Sequence, residues 1–325
     1  MNTDQEHDLK NMKALMANMP DASKLSLNPL PIPLCSPDQS LIKVAYFSLN
    51  PDEVRTALNS RERYVPGWDF AGTVVTPAAD GRSPGEGTPV FGVVPRGSWA
   101  GFVAVRTGLM AEIPAGVSAA EAAALPVAGV TALACLETAG ALLGRKVLIT
   151  GASGGLGRFA CQLAHIAGAQ LYAISRRGEL PALLEEDGVA PVQIFNTMAD
   201  AAAAGSYDLI IETVGGESLA IALTALSDNG VCASCGNSSG EMTAFDARDF
   251  YLMKTNTRLQ SVWLGQDIQK ANCADKLLRI VDLVARQRLR VPLDCVLPWT
   301  QIDEAIRRLL DNKVNGKIVL SVQDI

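Results

Sequence analysis

The sequence is poor in the residues on which metal centres, disulfide frameworks and nucleic-acid surfaces are built. Among 325 residues it has only two histidines, His7 and His165. Its seven cysteines are scattered and odd in number, so we expect reduced, mostly buried thiols rather than a disulfide framework. The formal net charge is −6 and no basic run is longer than a pair such as Arg176-Arg177, so the composition gives no support for nucleic acid as a partner.

The sequence also lacks long apolar runs. No stretch approaches the ~18–20 uncharged residues that a membrane-spanning helix needs. The segment after Met1 is polar, with Asp4, Glu6 and Asp8, and is unlike a signal peptide. We therefore expect a cytoplasmic protein without a membrane partner. Because 48% of the 325 residues are hydrophobic, the chain can bury a large core, and we expect two domains rather than one.

Cys232 and Cys235 form the only C-x-x-C spacing in the chain. Such a pair is compatible with redox chemistry or with metal binding. The sequence offers no second pair and no histidine cluster, and residues 230–236 have the pattern of a short core strand that ends in a glycine turn. We therefore interpret both cysteines as structural.

The stretch from residue 146 to residue 168 is the most informative part of the sequence. It begins with a predicted buried strand, KVLIT (146–150), and continues through a glycine-rich turn, GASGGLG (151–157). A segment with helical spacing follows and ends at Gly168. A glycine-rich turn can occur without a ligand. Because this one lies between a strand and a helix, we favour dinucleotide binding.

The glycines of this turn have separate tasks. Gly151 lets the chain leave the strand in a tight turn, Gly154 lets backbone amides approach a pyrophosphate, and Gly157 lets the helix pack closely on the sheet. The N-terminus of the helix then presents unpaired amides and the positive end of its dipole to the phosphate. The predicted cofactor-binding residues of the turn are Ser153, Gly154, Gly155, Leu156 and Gly157.

The end of the next predicted strand indicates which dinucleotide is bound. NAD sites usually place an acidic residue there, about 20 residues past the glycines, to bind the ribose 2′-hydroxyl. This chain has Ser175, Arg176 and Arg177 instead, and the nearest acid is Glu179. A hydroxyl followed by two guanidinium groups suits a 2′-phosphate, so NADPH is favoured over NADH. The alternative is that both arginines are solvated surface charges.

The remaining sequence predicts an α/β protein with two domains. Strands with many turns dominate the first ~110 residues. After Ser175, strands alternate with helices as in a doubly wound parallel sheet, with about six strands in all. We predict a tail at 1–11, a β-rich domain formed by 12–117 and 266–325, and a Rossmann domain at 118–265.

Several short motifs occur together in this sequence. They are LNP at 49–51, PGWDFAG at 66–72, AALP at 123–126 with VTA at 130–132, GASGGLG at 151–157, and GKIVL at 316–320. In this combination the chain resembles the medium-chain dehydrogenase/reductase superfamily, from about Met12 to its end. The resemblance implies a GroES-like, β-rich catalytic domain beside the Rossmann domain.

The zinc ligands of that superfamily are missing. Zinc-binding members have G-H-E where this chain has Gly67-Trp68-Asp69, and they have a cysteine in the segment occupied here by residues 50–53. Their structural lobe of four cysteines has no counterpart between Cys35 and Cys135. The chain therefore resembles the zinc-free quinone oxidoreductase and enoyl reductase branch.

The resemblance implies a function and a set of site residues. Members of the branch transfer a hydride from NADPH to a quinone or to a C=C bond conjugated to a carbonyl. The resemblance also implies that this protein is a homodimer. Asn50 is a candidate donor to the substrate oxygen, or a cap of the helix at Pro51. Tyr64 is a candidate proton donor in a region that lines the family's cleft, or a packed aromatic. Further candidate cofactor contacts are Thr131, Thr213, Val214, Gly215, Gly236, Asn237, Leu264, Asn315 and Lys317.

Two other functions remain open from the sequence. The missing zinc ligands argue against an alcohol or aldehyde dehydrogenase. A non-catalytic NADPH-binding protein, structural or redox-sensing, is also compatible with the pattern, because a fold alone does not establish chemistry.

Overall fold

The structure is a computed structural model, which describes residues 11–17, 25–189, 192–252 and 254–322. The predicted tail lies outside the described residues, except for Asn11, which begins the first strand. The chain divides into two compact units. Unit 1 comprises residues 1–127, 265–285 and 293–325, and unit 2 comprises residues 128–264 and 286–292.

The N-terminal part of unit 1 is mostly antiparallel β-structure. Prolines and glycines separate its short strands, as the composition of this segment predicts. Its elements are β1 (Asn11–Ala17), β2 (Leu25–Pro31), β3 (Gln39–Ser48), α1 (Pro51–Asn59), β4 (Asp69–Thr76), β5 (Pro89–Val93), β6 (Phe102–Arg106), β7 (Met110–Glu112) and α2 (Ala119–Ala124). β1 and β2 pair with each other in a separate two-stranded sheet.

Unit 2 alternates strands with helices. Its elements are α3 (Pro126–Glu137), whose first two residues belong to unit 1, β8 (Lys146–Ile149), α4 (Gly155–Ile166), β9 (Gln170–Ile174), α5 (Leu180–Glu186), β10 (Gln193–Phe195), α6 (Met198–Ala204), β11 (Tyr207–Glu212), α7 (Gly216–Thr224), β12 (Leu226–Ser234), α8 (Ala247–Leu252) and β13 (Arg258–Ser261). The six strands are parallel, in the order β10-β9-β8-β11-β12-β13. This is the strand order of a Rossmann sheet, and it confirms the predicted fold class.

The C-terminal part of the chain returns to unit 1. Its elements are α9 (Gly265–Gln269), α10 (Ala274–Ala285), β14 (Leu293–Pro298), α11 (Ile302–Leu310) and β15 (Lys317–Ser321). β15 pairs antiparallel with β3, so the last strand lies inside the seven-stranded sheet β14-β15-β3-β4-β5-β7, whose strand β3 also pairs with β6. The core of this unit contains Phe47 stacked on Trp99, with ring centroids 5.7 Å apart.

The structure differs from the sequence prediction in several boundaries. α2, which we assigned to the Rossmann domain, belongs to unit 1 because it packs against β3, β4 and β5. Residues 286–292, assigned to the β-rich domain, belong to unit 2. α6 was not predicted, although Thr197 and Asp200 form a capping box at its start.

None of the helices in the described ranges combines the length and the hydropathy that crossing a membrane requires. The cysteines are all free thiols. Cys232 is buried within β12, and Cys235 follows the strand and is half-buried.

Candidate functional sites

The turn between β8 and α4 has the geometry that its glycines predict. Gly151 has φ +61°, in the left-handed region that a residue with a side chain rarely adopts. A Cβ atom on Gly157 would lie 2.3 Å from the backbone oxygen of Gly151, so only glycine lets the helix begin this close to the strand. Gly154 is the N-cap residue of α4.

The N-terminus of α4 is suited to an anion. No side chain caps the helix at Gly154. The first amides of any helix lack a partner within the helix, and they lie at the positive end of its dipole. Gly154, Gly155 and Leu156 are half-buried, so the chain itself covers these amides only in part. This arrangement can bind a phosphate group.

Two hydroxyl groups lie next to this turn. Ser175, directly after β9, is 6% exposed, and Ser153 is 8% exposed. The Ser175 hydroxyl donates to the Ser153 hydroxyl at 3.4 Å and accepts a bond from the backbone N–H of Arg177 at 3.1 Å. Arg176 is exposed and Arg177 is half-buried. The structure therefore brings together the glycine turn and the segment predicted to select the nucleotide.

The carboxyl ends of β8 and β11 are joined by hydrogen bonds. The backbone N–H of Thr213 donates to Thr150 Oγ1 at 2.9 Å, and the two threonine hydroxyls are 3.1 Å apart. Gly236 packs on the backbone of Thr213, and Asn237 Oδ1 lies next to Gly215. Four of the predicted cofactor residues therefore lie together at one edge of the sheet.

Two other candidates from the sequence lie elsewhere in unit 2. Thr131 is on α3 and is 6% exposed, and Leu264 follows β13 and is 8% exposed. Their assignment to the cofactor stays a prediction.

Glu212 is a residue of this edge that the sequence analysis missed. It is 0% exposed at the end of β11, and its carboxylate accepts bonds from the backbone amides of Val214 and Gly215 at 3.0 and 2.9 Å. Burial raises the pKa of Glu212, and these bonds oppose that shift. An acidic residue at the end of a strand, followed by T-V-G-G, is the signal that could have identified it.

Unit 1 contains a buried polar cluster formed by Ser48, Asn50, Glu53, Asp69 and Lys317, which we call the Asn50 cluster. All five residues are between 0% and 6% exposed. Asn50 Oδ1 accepts a bond from Lys317 Nζ at 2.6 Å, and Asn50 Nδ2 donates to Glu53 Oε1 at 3.0 Å and to Asp69 Oδ2 at 2.9 Å. Both amide hydrogens of Asn50 are thus used inside the protein.

The charged members of the cluster are also bound by backbone groups. Asp69 Oδ1 accepts a bond from the Val127 N–H at 2.8 Å, and Glu53 Oε2 accepts one from the Trp68 N–H at 2.8 Å. Lys317 Nζ donates to the backbone oxygen of Leu49 at 3.0 Å and lies 3.4 Å from Asp69 Oδ2. The cluster therefore joins the start of α1, the start of β4 and the start of β15.

The cluster holds two carboxyl groups and one ammonium group. Burial and the neighbouring Asp69 carboxylate raise the pKa of Glu53 to about 8, whereas Lys317 and Asn50 act in the opposite direction.

Tyr64 is half-buried and packs against the core of unit 1. Burial and the nearby Glu53 raise the pKa of its phenol, and Arg96 acts in the opposite direction. Tyr64 therefore keeps its proton at neutral pH. In the structure Tyr64 packs against the core, and its role as a proton donor stays a prediction.

Asn315 and Lys317 were both predicted to contact the cofactor, and the structure argues against this contact for Lys317. The Lys317 ammonium is 4% exposed, and its hydrogen bonds go to the Asn50 cluster, so it is not available to a cofactor without breaking that cluster. Asn315 is half-buried, and its backbone N–H donates to Asp294 Oδ1 at 3.0 Å. The role of the Asn315 side chain stays a prediction.

The described residues contain no group of three or more histidine, cysteine, aspartate or glutamate side chains that could hold a metal ion. Asp69, which stands where zinc-binding members have glutamate, is 0% exposed and is bound by Ser48, Asn50, Lys317 and the Val127 amide.

Comparison with known proteins identifies similar sequences. Residues 189–320 match the family model described as zinc-binding dehydrogenase. The chain is 28% identical over 332 residues to a chloroplast envelope quinone oxidoreductase homolog from Arabidopsis thaliana, and the match covers 96% of this chain and 98% of that protein. It is 38% identical over 180 residues to 2-methylene-furan-3-one reductase from Solanum lycopersicum, covering 50% of this chain and 46% of that protein.

The fold is also similar to solved structures. The quinone oxidoreductase from Coxiella burnetii superposes with a TM-score of 0.83 at 26% sequence identity. The superposition covers 97% of this chain and 100% of that structure.

Proposed function

Because the chain belongs to the medium-chain dehydrogenase/reductase superfamily, we propose that this oxidoreductase uses NADPH to reduce a quinone or a C=C bond conjugated to a carbonyl, without zinc. The names of the relatives, a quinone oxidoreductase homolog and a furanone reductase, support this substrate class. The replacement of G-H-E by Gly67-Trp68-Asp69, together with the internal bonds of Asp69, supports independence from zinc.

The observation that carries the proposal is the start of α4. The helix begins at a glycine with no side-chain cap, directly after the central strand β8, and Gly157 leaves room for the close approach of the turn. These features fit a dinucleotide, because the pyrophosphate requires open amides and a close backbone. When bound, NADPH would supply the hydride.

We further propose that Ser175, Arg176 and Arg177 select NADPH. The Ser175 hydroxyl lies next to the glycine turn, and both guanidinium groups follow it. Arginine binds phosphate groups with two parallel hydrogen bonds, which suits a ribose 2′-phosphate.

We assign different roles to the two candidate catalytic residues. The Asn50 amide is fully used within the Asn50 cluster, so we propose that Asn50 positions the start of α1 rather than binding the substrate. Tyr64 keeps its proton at neutral pH and is our candidate proton donor. We also retain the homodimer as part of the proposal, whereas the cytoplasmic location stays a prediction.

A substrate panel tests the proposal. NADPH oxidation is followed with quinones, enones and aldehydes, each with and without a metal chelator. We expect turnover of quinones or enones that the chelator does not affect. Turnover of aldehydes alone, dependent on metal, would identify an alcohol dehydrogenase, and binding without turnover would identify a non-catalytic protein.

Replacing Tyr64 with phenylalanine tests the proton donor. If the phenol delivers the proton, kcat for an enone falls about a hundredfold, while the affinity for NADPH is unchanged. Tyr46→Phe, on β3, is the matched control and should retain wild-type kcat. Wild-type kcat in the Tyr64 variant would remove Tyr64 from the mechanism.

A further inference from the structure

Glu212 lies where the strand order of the unit 2 sheet reverses. β8 and β11 are neighbours at the centre of the order β10-β9-β8-β11-β12-β13, and the chain extends the sheet from them in opposite directions. In sheets of this kind, ligands bind at the carboxyl ends of the strands at that point. Glu212 is the last residue of β11 and is 0% exposed.

The Glu212 carboxylate holds the turn that follows it. Oε1 accepts bonds from the Val214 N–H at 3.0 Å and from the Ser218 hydroxyl at 2.9 Å, and Oε2 accepts one from the Gly215 N–H at 2.9 Å. Gly215 has φ +75°, a conformation that favours glycine. The carboxylate also lies at the N-terminus of α7, where the helix dipole favours a negative charge.

The backbone around Glu212 attaches the same turn to both neighbouring strands. Thr213 N–H bonds to Thr150 Oγ1 after β8, as described above. On the other side, the backbone oxygen of Glu212 accepts a bond from the Cys235 N–H at 3.0 Å, and that of Thr213 accepts one from the Ser238 N–H at 3.1 Å. Within the turn itself, the Val214 and Gly215 amides are both satisfied by the Glu212 carboxylate.

The amides of Val214 and Gly215 are therefore not available to a ligand. They point to the protein's own carboxylate, whereas α4 begins without a side-chain cap. We infer that Glu212 is a positioning residue for the dinucleotide: its buried carboxylate fixes the turn at 213–215 against which the cofactor binds. The inference rests on the proposed dinucleotide site at the same strand ends.

Glu212→Gln tests the inference. The new amide group must turn an N–H towards at least one backbone N–H, so the turn has to shift. We expect the Kd of both NADPH and NADH to rise about tenfold, with their ratio unchanged, because the turn does not contain the residues that distinguish the two nucleotides. The exposed Glu217 on α7 is the matched control, and Glu217→Gln should keep both wild-type Kd values.

The Kd values are measured by fluorescence titration of the folded protein, and the melting temperature is recorded for each variant. Wild-type Kd values in Glu212→Gln would overturn the inference, even with a lower melting temperature, because Glu212 would then be a structural residue only. If this variant does not fold, Ser218→Ala removes one of the three bonds to the carboxylate and should raise both Kd values about threefold. Wild-type Kd values in Ser218→Ala would then overturn the inference.

The outcome for the wild-type protein separates this inference from the proposed function. If the wild-type protein binds neither nucleotide, the proposed function fails and the inference fails with it. If the wild-type protein binds NADPH and Glu212→Gln binds it equally well, only the inference fails.

Discussion

The Asn50 cluster of unit 1 and the β8–α4 turn of unit 2 both place polar groups at the start of a helix, but they satisfy those groups differently. At α1, the Glu53 carboxylate accepts a bond from the Asn50 N–H at 2.7 Å, and Asn50, Asp69 and Lys317 complete a buried network. At α4, the cap is a glycine without a side-chain bond, and the turn is half-buried. The polar groups of the first region are satisfied by other groups of the protein, whereas the open amides of the second region can bind an external anion.

This difference changes how the motifs that contain Asn50 and Lys317 are interpreted. Asn50 and Lys317 belong to motifs that resemble those of a superfamily of enzymes, yet their polar atoms contact each other. We therefore expect changes in the Asn50 cluster to act mainly on stability, and changes in the β8–α4 turn to act mainly on nucleotide binding.

The largest effect is expected for Lys317→Met. The substitution removes the buried ammonium group and leaves the buried Asp69 carboxylate without its ion-pair partner. This should lower the free energy of unfolding by about 3–5 kcal/mol. Lys313→Met removes an exposed ion pair with Asp311 and should change the free energy by less than about 0.5 kcal/mol. Urea unfolding measures both. Equal stability of the two variants would contradict the role that we give to the cluster.

Compared with Lys317→Met, we expect Gly157→Ala to have a smaller effect on the free energy of unfolding and a larger effect on nucleotide binding. The new methyl group would lie 2.3 Å from the Gly151 oxygen and 2.6 Å from the Ala152 Cα atom, so the backbone must move. We expect a loss of about 1–3 kcal/mol in the free energy of unfolding and a Kd for NADPH at least about tenfold higher. Gly85→Ala, which adds a methyl group in open space, is the control. An unchanged Kd would show that the close approach is not needed for binding.

The smallest expected effect is on the pH dependence of stability, compared between the wild-type protein and Glu53→Gln. Folding raises the pKa of Glu53 from 4.5 to about 8, so the folded state binds this proton more tightly than the unfolded state does. The resulting stabilisation is complete below pH 4.5 and is lost as the pH rises towards about 8. Between these values, the free energy of unfolding should fall by at most about 1.4 kcal/mol per pH unit more in the wild-type protein than in Glu53→Gln. Parallel pH profiles would show that Glu53 is ionised in the folded state.

The sequence was sufficient to predict the Rossmann sheet. Alternating strand and helix patterns require parallel strands with crossover connections, and the glycine turn directly after a strand marks β8 as the strand at whose end a dinucleotide would bind. Ser175 and its neighbours could be located because they follow the next strand at a fixed distance.

The Asn50 cluster could not be predicted, because Asp69 and Lys317 are far in the sequence from its other three members. Lys317 and Asn50 are separated by 267 positions, and only the insertion of β15 beside β3 brings them together. The role of Glu212 was missed for another reason. Its partners are backbone amides, whose directions depend on the left-handed conformation of Gly215, and the sequence indicates that conformation only through the glycines that follow β11.

The most direct test of this account is a titration of the purified protein with NADPH and with NADH, repeated after changing both Arg176 and Arg177 to alanine. We predict that the wild-type protein binds NADPH at least about tenfold more tightly than NADH and that the double variant loses this preference while still binding NADH. Equal affinities in the wild-type protein would contradict the role of the arginines. Binding of neither nucleotide would contradict the central claim that the β8–α4 turn is a dinucleotide site.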